Sequence, residues 1–301
     1  MLSKLARFLL FGNYYLAFCI VALSFETAFK NGFQITDAIF YWLLFLAVVV
    51  YYTHAYIGDY ASSSNPRTAW YAANRKLIFF TQLFFTILIA LGCVYQLVNY
   101  GSAIAHFSIQ NWLLLLLFPF LALLYYDVIF PARFRFKLRN IAWLKPFIIG
   151  FVCTGMIVVY PLLFYSLQTG QTFHFSFAEG CYFFTNWMFT TAIALMFDIK
   201  DFAADHNYQL KTFVVTKGLR RTLFFILLPL ILVSFVSFVF FALLKQFSLL
   251  RIFINTLPFF LMSIAAASLR RRKSILYYLI IIDGLLLVKA LFGIAAMVLA
   301  K

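Results

Sequence analysis

Residues 182–218 read YFFTNWMFTTAIALMFDIKDFAADHNYQLKTFVVTKG. The apolar run ends at Phe197, and Asp198, Asp201 and Asp205 follow it at i, i+3 and i+7, so three of the chain's nine acidic residues fall within eight positions. A continuous apolar stretch without the alternation of a half-buried strand predicts a helix, and its length suits a bilayer crossing. At about 100° per residue the three aspartates share one helical face if the helix runs on past the apolar stretch. Carboxylates stacked in this way repel one another unless a cation sits among them. Hard oxygen ligands suit Mg²⁺, which keeps several waters and bridges one or two carboxylates to a substrate's phosphates. Lys200, Lys211, Lys217, Arg220 and Arg221 are close by in sequence and could reach the outer oxygens of a diphosphate. A solvated loop of mixed charge is the other reading of the same residues.

The rest of the chain has the composition that this stretch implies. It is 65% hydrophobic, 21% aromatic and only 11% charged, with a mean hydropathy of +0.96. Soluble domains carry about 25% charged residues, so the composition excludes that class and predicts an all-α integral membrane protein. Helices are preferred over a barrel because the apolar runs are continuous and do not alternate. The net charge of +15 would point to nucleic acid in a soluble chain. Here the charges stand between apolar runs, and they are read as positive-inside topology and contact with anionic membrane lipid, with no nucleic-acid partner. Cys19, Cys93, Cys153 and Cys181 have no metal-ligand spacing and are read as small core hydrophobes.

Nine segments are apolar and long enough to cross about 30 Å of hydrocarbon: 8–26, 36–53, 77–99, 103–125, 145–166, 180–198, 222–244, 249–269 and 275–299. The first follows Lys4 and Arg7, lacks a small-residue cleavage site, and is read as a retained span. Nineteen of the 24 Lys and Arg residues lie before the first segment or in the connections after even-numbered ones. That bias puts the N-terminus and those connections in the cytoplasm, as in a bacterial inner-membrane protein. No stretch is long enough for a separate soluble domain, so residues 1–301 are expected to form one membrane unit.

DIKDFAADHNYQLKTFVVTKG resembles the second aspartate-rich motif of the UbiA-type membrane prenyltransferases, D-x-x-D-x-x-x-D followed by Lys-Thr-hydrophobic-x-Val and a Gly. The matching positions are Asp198, Asp201, Asp205, Lys211, Thr212, Val215 and Gly218. Nine spans, with the motif on the cytoplasmic side after the sixth, also fit the layout of that family. The resemblance implies a UbiA-like bundle around a central cavity, open to the cytoplasm and sideways to lipid. It implies transfer of an isoprenyl group from a prenyl diphosphate to a hydrophobic acceptor, aromatic or lipid. Asp198, Asp201 and Asp205 would then be the catalytic, Mg²⁺-binding residues, with Lys211 and Lys200 on the phosphates. Mg²⁺ and basic side chains stabilise the leaving diphosphate in such chemistry, and a dry aromatic cavity shields the allylic cation.

The family's first motif, N-D-x-x-D-x-x-x-D after the second span, is degenerate in this chain. THAYIGDYASSSNPRTAW, residues 53–70, carries Asp59 alone among acidic residues, with His54 and Arg67 on either side. Asp59 and His54 are either a reduced Mg²⁺ or diphosphate contact, or a loop carboxylate beside an interfacial histidine. Arg133 and Lys137, between the fourth and fifth segments, are either diphosphate contacts or headgroup-binding residues. Within apolar segments, Asn186 is read as an interhelical hydrogen-bonding residue and Asp283 as a cavity residue. Lys289 lies about 120° around the helix from Asp283, so it is expected to snorkel or to pair with another helix. His206 follows the acidic motif and could take a proton from the acceptor or simply face solvent. Two further readings stay open: a catalytically altered UbiA-like protein that binds isoprenoid or lipid without turnover, and a small-molecule transporter that uses Asp283 and Lys289.

Overall fold

A bilayer offers no water to a bare N–H or C=O, and helices pair these groups internally. The computed structural model describes residues 4–54, 56, 66–125, 141, 143–171, 175–207 and 211–299, without the side chains of 203–207. Among the described residues all regular structure is helical: α1 Lys4–Phe11, α2 Tyr14–Asn31, α3 Ala38–His54, α4 Pro66–Ala73, α5 Arg75–Ala105, α6 Ile109–Tyr125, α7 Lys145–Thr169, α8 Phe177–Asn207, α9 Phe213–Lys217, α10 Leu219–Leu244, α11 Leu249–Ser268 and α12 Ile275–Leu299. The chain is thus an all-α membrane protein. Each of the nine apolar segments is mostly helical, although 8–26 is broken at 12–13 and 103–125 crosses the non-helical residues 106–108 between α5 and α6. Among the described residues five helices, α5, α7, α10, α11 and α12, are long and apolar enough to cross a membrane, and α1 with α2 would make a sixth. α3 and α6 are apolar but have 17 residues each. The 31-residue α8 is more polar, because it buries Thr185, Asn186, Thr190 and Thr191.

The first apolar segment departs from its expected single span. α1 and α2 meet at 57°, and Asn13 at the joint has a left-handed φ of 65°. That conformation is one that Asn tolerates better than most residues with a side chain. The break exposes the Phe11 carbonyl, which accepts from Arg67 Nη2 at 3.0 Å, Arg67 Nε at 3.2 Å and Tyr71 Oη at 2.9 Å. Asn13 Oδ1 also accepts from Arg67, and its amide donates to Thr53 Oγ1 at 3.1 Å. Burial pushes the Tyr71 hydroxyl pKa up, which keeps it a neutral donor here. Arg67 and α4 therefore fasten the bent entry of the chain to the end of α3.

α8 packs between α7 and α10, and the bundle continues through α11, α12, α2, α3 and α5, with α2 also resting on α7. A capping box starts α8: Glu179 accepts from the Ser176 amide at 3.0 Å, and Ser176 Oγ accepts from the Glu179 amide at 3.4 Å. Against α7 it comes very close, since a Cβ on Gly150 would collide with Thr191. The Gly150 carbonyl takes hydroxyls from both helices, Thr154 at 2.8 Å and Thr190 at 3.0 Å. α5 is the opposite case, for only 6% of its most apolar stretch is buried inside the bundle.

Prolines within the spans set a local problem, since each removes an N–H and displaces the carbonyl four residues back. Pro161 follows a π-turn at Gly155–Val159, and Pro229 follows another at Leu223–Leu227. The carbonyl that Pro161 deprives is that of Ile157, and Thr27 Oγ1 of α2 donates to it at 2.7 Å. Pro119 of α6 deprives Leu115, whose carbonyl accepts from Tyr160 Oη at 3.1 Å. Hydroxyls on neighbouring helices thus replace missing backbone donors and lock α2 to α7 and α7 to α6. Thr27→Val keeps the shape and removes the donor, and should lower stability in detergent by about 1 kcal/mol. A denaturant titration of the two proteins checks it, and equal midpoints would rule out a contribution from this bond.

Candidate functional site

α8 remains helical from its apolar stretch through Asp198 and Asp201 to Asn207, so the aspartates at 198, 201 and 205 lie along one helical face. Asp198 is 1% exposed. Its Oδ1 accepts from Lys145 Nζ at 2.8 Å, while its Oδ2 is buried with no hydrogen-bond partner among the described residues. Lys145 is the first residue of α7, and its side chain is 27% exposed, so the ammonium reaches the buried Asp198 from a partly exposed position. Asp201, one turn on, is 36% exposed in its side chain and pairs with Lys200 Nζ at 3.1 Å. Lys200 also lies 5.3 Å from the centre of the Phe197 ring. The side chain of Asp205 is outside the described residues.

The other expected site residues divide. Lys211 is exposed, just ahead of α9, whose N-terminus is capped by Thr212 Oγ1 accepting from the Val215 amide at 3.4 Å. His54 is exposed at the end of α3. Asp59, Arg133 and Lys137 lie outside the described residues, as does the side chain of His206. Among the described residues no three His, Cys, Asp or Glu side chains come together as a metal-binding group.

α12 brings in groups that spacing alone does not associate with the motif. Tyr278 packs against Phe197 with ring centres 5.7 Å apart and lies within electrostatic reach of Asp201. Asp283, 4% exposed, is within electrostatic reach of Lys200 and Arg67. It follows a π-turn at Tyr278–Ile282. No proline follows that turn closely, unlike the other two. π-turns inside α-helices are frequent at functional sites.

A second polar centre lies toward the other end of α8. Glu26 of α2 is fully buried, 2.5 Å from Lys30 Nζ and 3.1 Å from Lys289 Nζ of α12. Gly293, one turn beyond Lys289, makes room, since a Cβ there would overlap the Glu26 carboxylate. Lys30 stands 5.2 Å from the ring centres of both Tyr182 and Phe238, and Lys289 stands 5.5 Å from Tyr182 and 5.7 Å from Phe189. Two cations thus share one carboxylate, and aromatic faces of α8 and α10 take up the excess charge. Farther along, Lys245 pairs with Glu179 at 2.8 Å.

Sequence reasoning left Lys289 either to snorkel or to pair with another helix; it pairs, and no spacing rule links it to Glu26, 263 positions away. Nor did any local signal join Lys145 to Asp198. Asn186 differs from its expected role, because its amide donates to the Tyr182 carbonyl of its own helix at 2.9 Å. Cys93 is exposed on α5 rather than in the core. Compared with known protein families, with curated proteins and with solved structures, the chain matches none. Glu26→Gln would leave two buried ammonium groups without a carboxylate and should cost about 3–5 kcal/mol in stability. Adding Lys30→Met and Lys289→Met should recover most of that loss in detergent unfolding. A triple variant no more stable than the single one would mean that charge imbalance is not the cause.

Proposed function

We propose that the chain is a UbiA-type prenyltransferase of the bacterial inner membrane, with nine crossings and its N-terminus and acidic end of α8 in the cytoplasm. It would transfer an isoprenyl group from a prenyl diphosphate to a hydrophobic acceptor, aromatic or lipid. The observation that carries this reading is the end of α8, where a continuous helix holds the aspartate series and the buried Asp198 keeps one oxygen without a partner among the described residues. Carboxylate oxygens are the donor chemistry that a hard divalent cation takes. Asp198, Asp201 and Asp205 would hold Mg²⁺, which when bound supplies charge neutralisation to the departing diphosphate.

The chain's own residues would do the rest. Lys200 and Lys211 would bind outer phosphate oxygens, fixing the donor's head at the wet end of the bundle. Asp59, His54, Arg133 and Lys137 would complete the phosphate-binding side. The carbon–oxygen bond of the donor breaks with its electron pair on the diphosphate, and a pair from the acceptor forms the new bond to the allylic carbon. The acceptor's proton would go to His206, which follows the acidic motif in sequence. Phe197 and Tyr278 offer aromatic faces near Asp198 and Asp201.

A second reading, isoprenoid binding without turnover, has one observation in its favour: both described carboxylates of the motif already hold an ammonium partner. Purified protein in nanodiscs, given a labelled prenyl diphosphate, Mg²⁺ and a panel of aromatic acceptors, separates the two. A prenylated product should form, and chelation of Mg²⁺ or Asp201→Ala should each lower its rate by about 10²-fold or more. Saturable binding of the donor with no product from any acceptor would sink the enzyme reading in favour of the second.

A further inference from the structure

The Lys145–Asp198 pair bears on how such a site would fill. One oxygen of Asp198 carries the ammonium at 2.8 Å, and the other is buried and without a partner among the described residues. A divalent cation on that free oxygen would sit roughly 5 Å from the ammonium, close enough for strong repulsion in a partly desolvated setting. Lys145 and a divalent ion therefore compete for the same carboxylate. A diphosphate changes the balance, because its oxygens accept from an ammonium and coordinate a metal at once. Lys145 is suited to move between the two, being a flexible stem on the first residue of α7 with its side chain still 27% exposed. Among the described residues, Tyr125, Asp201 and Lys200 are the other charged or titratable groups within electrostatic reach of the pair.

Resting on the functional reading above, we propose that Lys145 is a positioning residue that neutralises Asp198 in the empty site. When the donor binds, it moves its ammonium to a phosphate oxygen and frees the carboxylate for the cation. The site then takes metal and diphosphate together and discriminates against metal alone. The same exchange keeps a buried carboxylate from standing uncompensated between turnovers.

The test counts bound Mn²⁺ by electron paramagnetic resonance on the full chain in phosphatidylcholine nanodiscs, with and without inorganic diphosphate. Wild type should bind Mn²⁺ weakly alone and at least about tenfold more tightly with diphosphate. Lys145→Gln should bind Mn²⁺ alone about tenfold more tightly than wild type, and diphosphate should then improve it by less than about threefold. Lys145→Met serves as a second neutral variant should the first not elute as a monodisperse species, and Lys145→Arg should restore the wild-type pattern. If diphosphate tightens Mn²⁺ binding in wild type but the neutral variants match wild type with metal alone, the exchange is wrong and the metal–diphosphate reading stands. If wild type shows no diphosphate effect and retains no labelled prenyl diphosphate, that reading fails and takes the exchange with it.

Discussion

A single carboxylate, that of Glu26, holds two ammonium groups in the apolar interior, and the arrangement of four helices follows from it. α2 supplies the acid and Lys30, α12 supplies Lys289 and the gap at Gly293, and α8 and α10 supply the aromatic faces of Tyr182, Phe189 and Phe238. Charges placed this deep are tolerated only with their partners present, so these helices have little freedom to slide or rotate independently. The ion cluster specifies register where apolar packing, which is much alike along each helix, would specify it weakly. Backbone needs act in the same direction. Thr27, one residue after Glu26, reaches the Ile157 carbonyl left bare by Pro161, so one turn of α2 fixes its position against both α12 and α7.

The two polar centres lie at opposite ends of α8. Tyr182 and Asp198 are 16 residues apart, or about 24 Å along the axis. Between them Thr185, Asn186, Thr190 and Thr191 bond mostly to backbone carbonyls or stay within the packed interface with α7. Nothing described in this stretch carries a charge. The helix thus separates a sealed, compensated cluster from an end where one lysine is partly wet and one carboxylate oxygen has no partner among the described residues. That contrast, and not charge density by itself, distinguishes the end suited to chemistry from the end suited to holding the bundle.

Much of the helical framework was legible in the sequence, because a run such as 222–244 has few other ways to satisfy its backbone in lipid. The continuation of α8 past Phe197 was legible too, since the three aspartates share a face only if it continues. The bend at Gly12–Asn13 was harder to read: hydropathy rises on both sides of it, and what stabilises it, Arg67 on the Phe11 carbonyl, comes from 56 positions away. The role expected for Asn186 was missed because a buried amide can satisfy its donor on its own helix as readily as on a neighbour. Lys145 and Glu26 were visible as charges, yet their meaning lies in partners that only tertiary packing brings near. Sequence pattern reports what faces lipid or water along one helix, and says little about which helix comes next to it.

α5 has 31 residues and buries almost none of its apolar surface in the bundle. At 1.5 Å per residue its apolar stretch, residues 77–99, is about 35 Å long, against a hydrocarbon core of about 30 Å. A helix so mismatched and so lightly held by its neighbours must tilt, extend into the headgroups, or thicken the lipid around it. Its angle is then set by the bilayer more than by the protein. α5 leans on α3 and on the Tyr160–Thr169 part of α7, the end away from Lys145, so membrane thickness becomes a mechanical input to the wall of the bundle far from the Asp198 counter-ion.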